Sequence, residues 1–154
     1  MAGNKKDVGQ GLRAMVLSLT AEKVAPRPSG VFGVIMDWGF PNALATLVAL
    51  ADGGTSLYLP YGGFLGGHAH SKIREAGQAF LTVAERFVDQ FPIMTEHPTP
   101  KAGRARFYVL TTSGVRGSPE ITEKDLRPGQ PGISELFGAA QGVIAQIRME
   151  QDHK

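Results

Sequence analysis

The sequence predicts an α+β domain: an antiparallel sheet of four to five strands, three of them in a meander, flanked by three helices in the order α-β-β-β-α-β-(β)-α. Three observations lead to this prediction. Between residues 31 and 59 the chain is rich in β-branched and aromatic residues and is interrupted by turn residues. Residues 73–91 instead place apolar side chains at helical spacing. A further β-rich run and a second amphipathic run then follow.

The first half of the chain contains one helix and the meander. Apolar residues spaced by three and four predict a helix near residues 9–20, and prolines follow it. Strands are expected at residues 31–38, 44–51 and 55–59, the second being apolar on both faces like a central strand covered by helices. Asp52-Gly53-Gly54 predicts a hairpin turn between the last two strands, because glycine adopts positive φ at little cost.

The longest apolar stripe predicts the second helix. Ser71 is the expected N-cap, and the stripe continues to Phe91, where Pro92 ends it. Gly77 lies on the stripe itself, which indicates a close-packing contact with the sheet.

The last third of the chain returns to the sheet and ends in a helix. Residues 104–112 alternate between apolar and polar side chains and predict a strand, and a short edge strand is expected from Val115. A loop rich in proline, glycine and charge is expected over residues 117–132. Apolar residues from Ile133 to Ile147 predict the closing helix.

Length and composition restrict the class of protein. A chain of 154 residues suits one domain over 1–154, with residues 1–7 and 149–154 expected to be flexible ends. The absence of cysteine excludes disulfides, thiolate metal sites and cysteine nucleophiles. The first residues lack the apolar core of a signal peptide, and no apolar run is long enough to span a bilayer, so we expect a cytoplasmic protein without a membrane partner.

The charge distribution argues against nucleic acid as a partner. The net charge is only +2, and Lys101, Arg104, Arg106 and Arg116 form a run without acidic residues. Such a run is typical of a solvated strand face. Aromatic residues do not alternate with these charges, as a platform for stacking bases requires.

A segment rich in glycine and histidine lies between the meander and the second helix. Gly62 and Gly67 have the spacing of a phosphate-binding loop, but His68 and Ala69 stand where lysine and serine or threonine are needed, so we expect no Walker-type site. Free N–H groups at the helix start allow a looser anion site, while the alternative is a glycine turn that packs strand against helix. The candidate ligand- or anion-binding residues are Gly62, Gly63, Gly66, Gly67, Ser71 and Lys72.

His68 and His70 are the candidate metal ligands. In an extended segment both imidazoles lie on one side, as chelation requires, but the sequence identifies no third ligand beyond the weak candidates Asp37, Asp52 and His97. The alternative is that His70 caps the helix while His68 contacts solvent. No serine lies in a nucleophile elbow, so catalytic residues are not assigned and no cofactor is expected.

Aromatic residues gather near the ends of the predicted hairpins. They either belong to the core or form an exposed patch that receives a partner chain or a small ligand. The residues are Trp38, Phe40, Tyr58, Tyr61 and Phe64.

The order of elements resembles the roadblock/dynein-light-chain family and, more loosely, its longin and profilin relatives. The resemblance is architectural and involves the strand–turn–strand of residues 47–57, the helix over 76–91, the strand over 106–112 and the closing helix. The extra strand at residues 31–38 is nearer to a longin-like meander. The glycine–histidine junction is also similar to one found in small bacterial proteins. The resemblance implies a dimeric platform that binds small GTPases or other protein partners.

The residues and the resemblance together favour a non-enzymatic, regulatory scaffold that binds protein and forms a homodimer. The alternative is an enzyme or sensor that binds a small ligand or a metal through residues 62–72. The sequence does not determine which of the two functions the chain performs.

Overall fold

The computed structural model describes residues 5–60, 62–64, 70–126 and 132–152, and only the backbone for residues 5–10 and 152. Within these ranges seven strands form one antiparallel sheet, flanked by three long helices and one short helix, so the predicted α+β class is confirmed. The strands are β1 (Val31–Phe40), β2 (Ala43–Leu50), β3 (Thr55–Leu59), β4 (Gly62–Phe64), β5 (Arg104–Thr111), β6 (Gly114–Gly117) and β7 (Ile121–Thr122). The helices are α1 (Lys5–Leu17), α2 (Ala21–Val24), α3 (Ser71–Glu85) and α4 (Ile133–Asp152), with 3-10 turns at Val88–Gln90 and Glu123–Leu126.

The strands follow the order β4-β3-β2-β1-β5-β6. The short strand β7 pairs with the first two residues of β5, Arg104 and Ala105. The expected meander is β1 to β3, and β5 returns from α3 to pair with β1, placing Phe107 opposite Met36. β6 is the expected short edge strand, whereas β4 and β7 enlarge the sheet beyond the expected four to five strands. The central pair is therefore β1 and β2.

The turn between β2 and β3 forms where the sequence predicts it. Gly53 has a φ of 100°, a conformation that glycine adopts readily. The Leu50 N–H donates to the Gly54 carbonyl at 2.8 Å, and the Gly54 N–H donates to Oδ1 of Asp52 at 2.8 Å. These bonds fix the register of β2 with β3.

The long helices α3 and α4 cover one face of the sheet, which we call the α3/α4 face. Phe80 of α3 and Leu136 of α4 are fully buried there with Met36 and Phe107 from the strands. Gly77 makes the predicted close contact, because a Cβ at this position would lie 2.6 Å from Oγ1 of Thr55.

α3 is shorter than the apolar stripe predicts. The N–H groups of Arg86 and Phe87 bond to carbonyls three residues earlier, so the helix tightens into turns after Glu85. Phe87 and Phe91 remain buried and stack with ring centres 5.8 Å apart. The stripe thus continues in the core although the regular helix does not.

The short helix α2 and the helix α1 cover the other face, which we call the α1 face. Val16 of α1 and Val24 of α2 are buried against Phe32, Ile35 and Val48 of the strands. α1 is displaced toward the N-terminus relative to the expected residues 9–20. Leu19 lies beyond its last turn but still contacts this cluster.

A buried ion pair connects α1 to the centre of the sheet. Asp37 of β1 has no exposed surface, and its Oδ2 accepts a hydrogen bond from Nε of Arg13 at 2.9 Å and forms an ion pair with Nη2 at 2.8 Å. Thr46, opposite Asp37 on β2, donates to Oδ1 at 2.7 Å. The Arg13 guanidinium also lies over the ring of Tyr108, 5.6 Å from its centre. Nη2 of Arg13 also donates to the His97 carbonyl at 2.8 Å. The polar atoms of the cluster are thus paired, and the cluster holds α1 on the sheet.

The basic residues of β5 and β6 make contacts within the chain. Glu120 accepts hydrogen bonds from the Lys101 N–H and from Arg104. Desolvation raises the pKa of Glu120, but these bonds and the charges of Arg104 and Arg106 together lower it below the usual value. Arg116 donates to two main-chain carbonyls.

None of the helices in the described ranges is both long and apolar enough to cross a bilayer.

Candidate functional site

The first glycine pair of the glycine–histidine segment forms strand β4. Gly63 has a φ of 154° and pairs with Tyr58, and a Cβ on it would lie 2.0 Å from the Leu57 carbonyl oxygen. The close approach of two strands therefore explains this glycine without a ligand. Gly62 has a φ of 145°, which also favours glycine. The remaining candidates Gly66, Gly67 and His68 lie outside the described residues.

His70 occupies the N-cap position of α3, and the expectation that Ser71 would be the cap is wrong. The His70 side chain makes no capping hydrogen bond; its Nδ1 lies 3.2 Å from Oε1 of Glu150 on α4. The ring centre of His70 is also 5.7 Å from that of Phe64 on β4. His70 thus connects β4, α3 and α4. Ser71 begins α3 and is exposed.

A cavity of about 280 Å³ lies at this helix start, between α3 and the last turns of α4. Ser71 and Lys72, the candidates for holding an anion, line it together with His70. Glu150 lines it too, and its Oε1 faces His70. The cavity therefore brings the candidate residues together, with a carboxylate as well as the Lys72 ammonium in its lining.

The weak candidates for a third metal ligand are not brought to His70. Asp37 is buried beneath α1 in its ion pair with Arg13, on the face of the sheet opposite α3 and α4. His97 lies on that same face, its ring packed edge-on against Tyr108 at 5.4 Å. Asp52 lines a different cavity at the β2–β3 turn. Among the described residues, no three histidine, aspartate or glutamate side chains are placed to hold a metal ion together.

The predicted aromatic group divides between the two faces of the sheet. Tyr58 points to the α1 face and is buried there, Phe64 contacts His70, and Tyr61 lies outside the described residues. Trp38 and Phe40 remain together, with ring centres 4.9 Å apart, and Phe40 is 40% exposed. These two rings form the aromatic patch.

Trp38 and Phe40 line a groove on the α3/α4 face that we call the hairpin groove. It has a volume of about 370 Å³ and lies between the β1–β2 hairpin and the C-terminal half of α4. The strands contribute Trp38, Phe40, Ala43, Ala45, Leu57 and Leu59, and α4 contributes Ile144, Ile147, Arg148 and Gln151.

Strand geometry explains why the groove is apolar and open. Trp38 pairs with Ala45 and Phe40 pairs with Ala43, so large rings stand beside small side chains on one face of the hairpin. The small alanines leave a hollow beside the rings. The two-residue turn Pro41-Asn42 ends the hairpin beyond this point.

The two ends of the hairpin groove carry opposite charge. Near Trp38, the exposed Glu123 accepts a hydrogen bond from the indole Nε1 at 3.2 Å through its Oε2. Trp38 packs against Phe137 of α4, and Arg148 follows Phe137 by eleven residues, so Arg148 lines the groove away from Trp38. Arg148 is exposed and makes no ion pair within the described residues. The groove is thus an apolar channel with an acid at one end and a cation at the other.

Sequence reasoning found the two rings of this groove but missed its second wall. Ile144, Ile147, Arg148 and Gln151 lie at spacings of three, four and seven, so they share one face of α4. The change from isoleucine to polar residues along that face was the signal available in the sequence. This change marks the point at which α4 stops burying apolar side chains against the sheet.

In comparisons with protein-family models, with curated proteins and with solved structures, the chain matches none of them.

Proposed function

We propose that this chain is a non-enzymatic, cytoplasmic module that binds protein, forms a dimer and acts as a regulatory scaffold. The observation that carries the proposal is the hairpin groove, an open apolar channel with the exposed ring of Phe40 in its lining. Contiguous exposed apolar surface with a polar rim is typical of sites that bind another protein. The resemblance to roadblock-type platforms, which bind protein partners as dimers, points in the same direction.

The composition of the groove suits a protein ligand. Aromatic residues contribute most of the binding energy in many protein interfaces, and Trp38 and Phe40 supply two adjacent rings. The groove floor is formed by the small residues Ala43 and Ala45, which leaves room for inserted apolar side chains. The charged residues described here stand at its ends, as in interfaces with an apolar centre and a polar rim.

Trp38 provides a direct measurement, because it is the only tryptophan of the chain. A partner that fills the groove removes water from the partly buried indole and shifts its fluorescence emission to shorter wavelength. We expect this shift when a binding protein is added, or when the concentration of the chain itself is raised if a second copy is the partner.

Phe40→Asp tests the proposal. The variant places a charge in the groove at a side chain that is already 40% exposed, so the fold should persist while binding is lost. Ile93→Asp is the matched control, because Ile93 is 51% exposed and bridges to Arg116 at the β6 edge. Immobilised protein is exposed to a lysate of the organism that makes the chain, and self-association is measured by analytical ultracentrifugation.

The expected result is an association, with itself or with another protein, that Ile93→Asp retains and Phe40→Asp loses. A chain that stays monomeric and captures nothing would contradict the proposal, and so would a Phe40→Asp variant that binds as well as the wild type. Circular dichroism of both variants confirms that folding is unchanged.

A further inference from the structure

We infer that the partner of the hairpin groove is a second copy of this chain, placed across a two-fold axis so that Glu123 of each copy pairs with Arg148 of the other. The inference rests on the proposed function, and it adds the identity of the partner and the orientation in which it binds. Its evidence is the distribution of charge and shape along the groove.

The acid and the cation are separated along the direction of α4. Trp38, whose indole binds Glu123, also packs edge-on against Phe137 at 5.3 Å. Arg148 follows Phe137 by eleven residues on the same helix, which corresponds to roughly 16 Å at 1.5 Å per residue. The charges therefore lie at opposite ends of one apolar channel.

Such a surface is complementary to itself. In a two-fold dimer each copy presents the same patch in the reversed direction, so a patch with an acid at one end and a base at the other aligns opposite charges twice. The hydrogen bond from Trp38 uses Oε2 of Glu123, and Oε1 has no hydrogen-bond donor among the described residues, so it can accept an Arg148 guanidinium. Neither charge has to be removed from its present environment for the pairs to form.

The apolar part of the groove is complementary in the same orientation. Phe40 projects from one side of the hairpin, and the hollow over Ala43 and Ala45 lies beside it. Under the two-fold, Phe40 of each copy enters the hollow of the other. An unrelated partner could also fill the hollow, but nothing would then require the acid and the base to lie at opposite ends.

Charge exchange between two variants tests the orientation. In a homodimer of Arg148→Glu, two carboxylates meet at both charged contacts, and in a homodimer of Glu123→Arg, two guanidinium groups meet there. Each variant should therefore associate at least tenfold more weakly than the wild type, since like charges replace opposite ones. In the heterodimer of the two variants, one contact joins the two introduced residues and the other joins the two original ones. Both contacts then pair opposite charges, so association should return when the variants are mixed.

Sedimentation equilibrium of the wild type, of each variant and of their equimolar mixture gives the dissociation constants, with Trp38 emission as a second readout. Lys23→Glu on α2 is the control, because it changes the net charge as Arg148→Glu does but lies on the α1 face. This control should dimerise like the wild type. Raising the salt concentration should reduce the differences among all of these proteins.

Failure of the inference is distinguishable from failure of the proposed function. If Phe40→Asp abolishes a dimer that both charge variants retain, the groove binds a second copy in another orientation, and the inference is wrong while the proposed function stands. If the wild type is monomeric but captures a different protein in a manner that depends on Phe40, the partner is not a second copy. A mixture that associates no better than its two components likewise overturns the inference.

Discussion

Replacing Arg13 by methionine should destabilise the fold by about 3 kcal/mol, because the change leaves a buried carboxylate without its cation. Asp37 has no exposed surface, accepts one hydrogen bond from Arg13 and one from Thr46, and forms an ion pair with the Arg13 guanidinium. Removing one member of a buried ion pair typically costs about 3–5 kcal/mol. We take the lower end because the bond from Thr46 remains, and methionine retains most of the apolar stem of arginine.

The size of the effect makes it measurable by heat and by denaturant. For a domain of this length, each kcal/mol lowers Tm by roughly 2–4 °C, so Arg13→Met should melt about 6–12 °C below the wild type. Urea unfolding monitored by circular dichroism gives the free energy directly. Lys23→Met, which removes an exposed cation on the same side of the sheet, should change stability by less than about 0.5 kcal/mol.

A double-mutant cycle separates the ion pair from other effects of the substitution. Asp37→Asn removes the charge that Arg13 neutralises, so Arg13→Met should cost less in the Asp37→Asn background than in the wild type. If Arg13→Met costs under about 1 kcal/mol, or if the two substitutions simply add, then the ion pair does not hold α1 on the sheet and the reasoning is refuted.

Two further predictions concern helix glycines and a buried tyrosine. Gly142→Ala should raise stability by about 0.5–1 kcal/mol, because, apart from the adjoining backbone of α4, no described atom lies within 4 Å of the new Cβ. Gly77→Ala should lower stability, because its Cβ would lie 2.6 Å from Oγ1 of the buried Thr55. Thermal melts of the two variants compare them, and shifts of the same sign would be inconsistent with the packing described. Burial raises the pKa of Tyr108 to about 12 despite the nearby cations. The protonated tyrosine therefore contributes fully to the free energy of unfolding below pH 10, and this contribution is lost as the pH rises from 10 through about 12. The free energy of unfolding, measured with urea across this pH range, should fall less steeply for Tyr108→Phe than for the wild type. Identical slopes for the two proteins would show that the pKa of Tyr108 does not change on folding.

The central strands could be predicted from sequence to within two residues. β3 has the expected bounds 55–59, β2 is shifted by one residue, and β1 extends two residues further than expected. The prediction succeeded because its signals are local: β-branched runs specify the strands, and the glycine turn after Asp52 specifies the hairpin. These elements need little information from the rest of the chain.

The strands β4 and β7 could not be predicted in this way. They contain three and two residues and form because a neighbouring strand offers free N–H and C=O groups. Gly63 in β4 has low intrinsic preference for a strand and is required only because it lies so close to Leu57. Such short strands depend on the assembled sheet more than on their own residues.

The candidate sites were predicted less completely than the fold. Histidines and glycines are common in binding sites, so their density between residues 62 and 70 predicts one. The described part of that segment instead joins β4, α3 and α4 through His70. The hairpin groove depends on how α4 crosses the β1–β2 hairpin, which no local pattern specifies. Asp37 was visible as a single acid in an otherwise apolar strand, but its partner Arg13 is 24 residues away in the chain.

The helix α4 itself indicates that the hairpin groove is more than a packing defect. Along the face of α4 that meets the sheet, apolar residues continue to Ile147, and then Arg148 and Gln151 occupy the next positions. Apolar side chains at these two positions would have covered the alanines of the hairpin and extended the core. Instead the exposed Arg148 and Gln151 line the α4 wall of the groove, which leaves apolar surface of the hairpin open at a free-energy cost to the isolated chain. Covering of this surface in an assembly would recover that cost, and the charge at its edge would then determine the orientation of the partner.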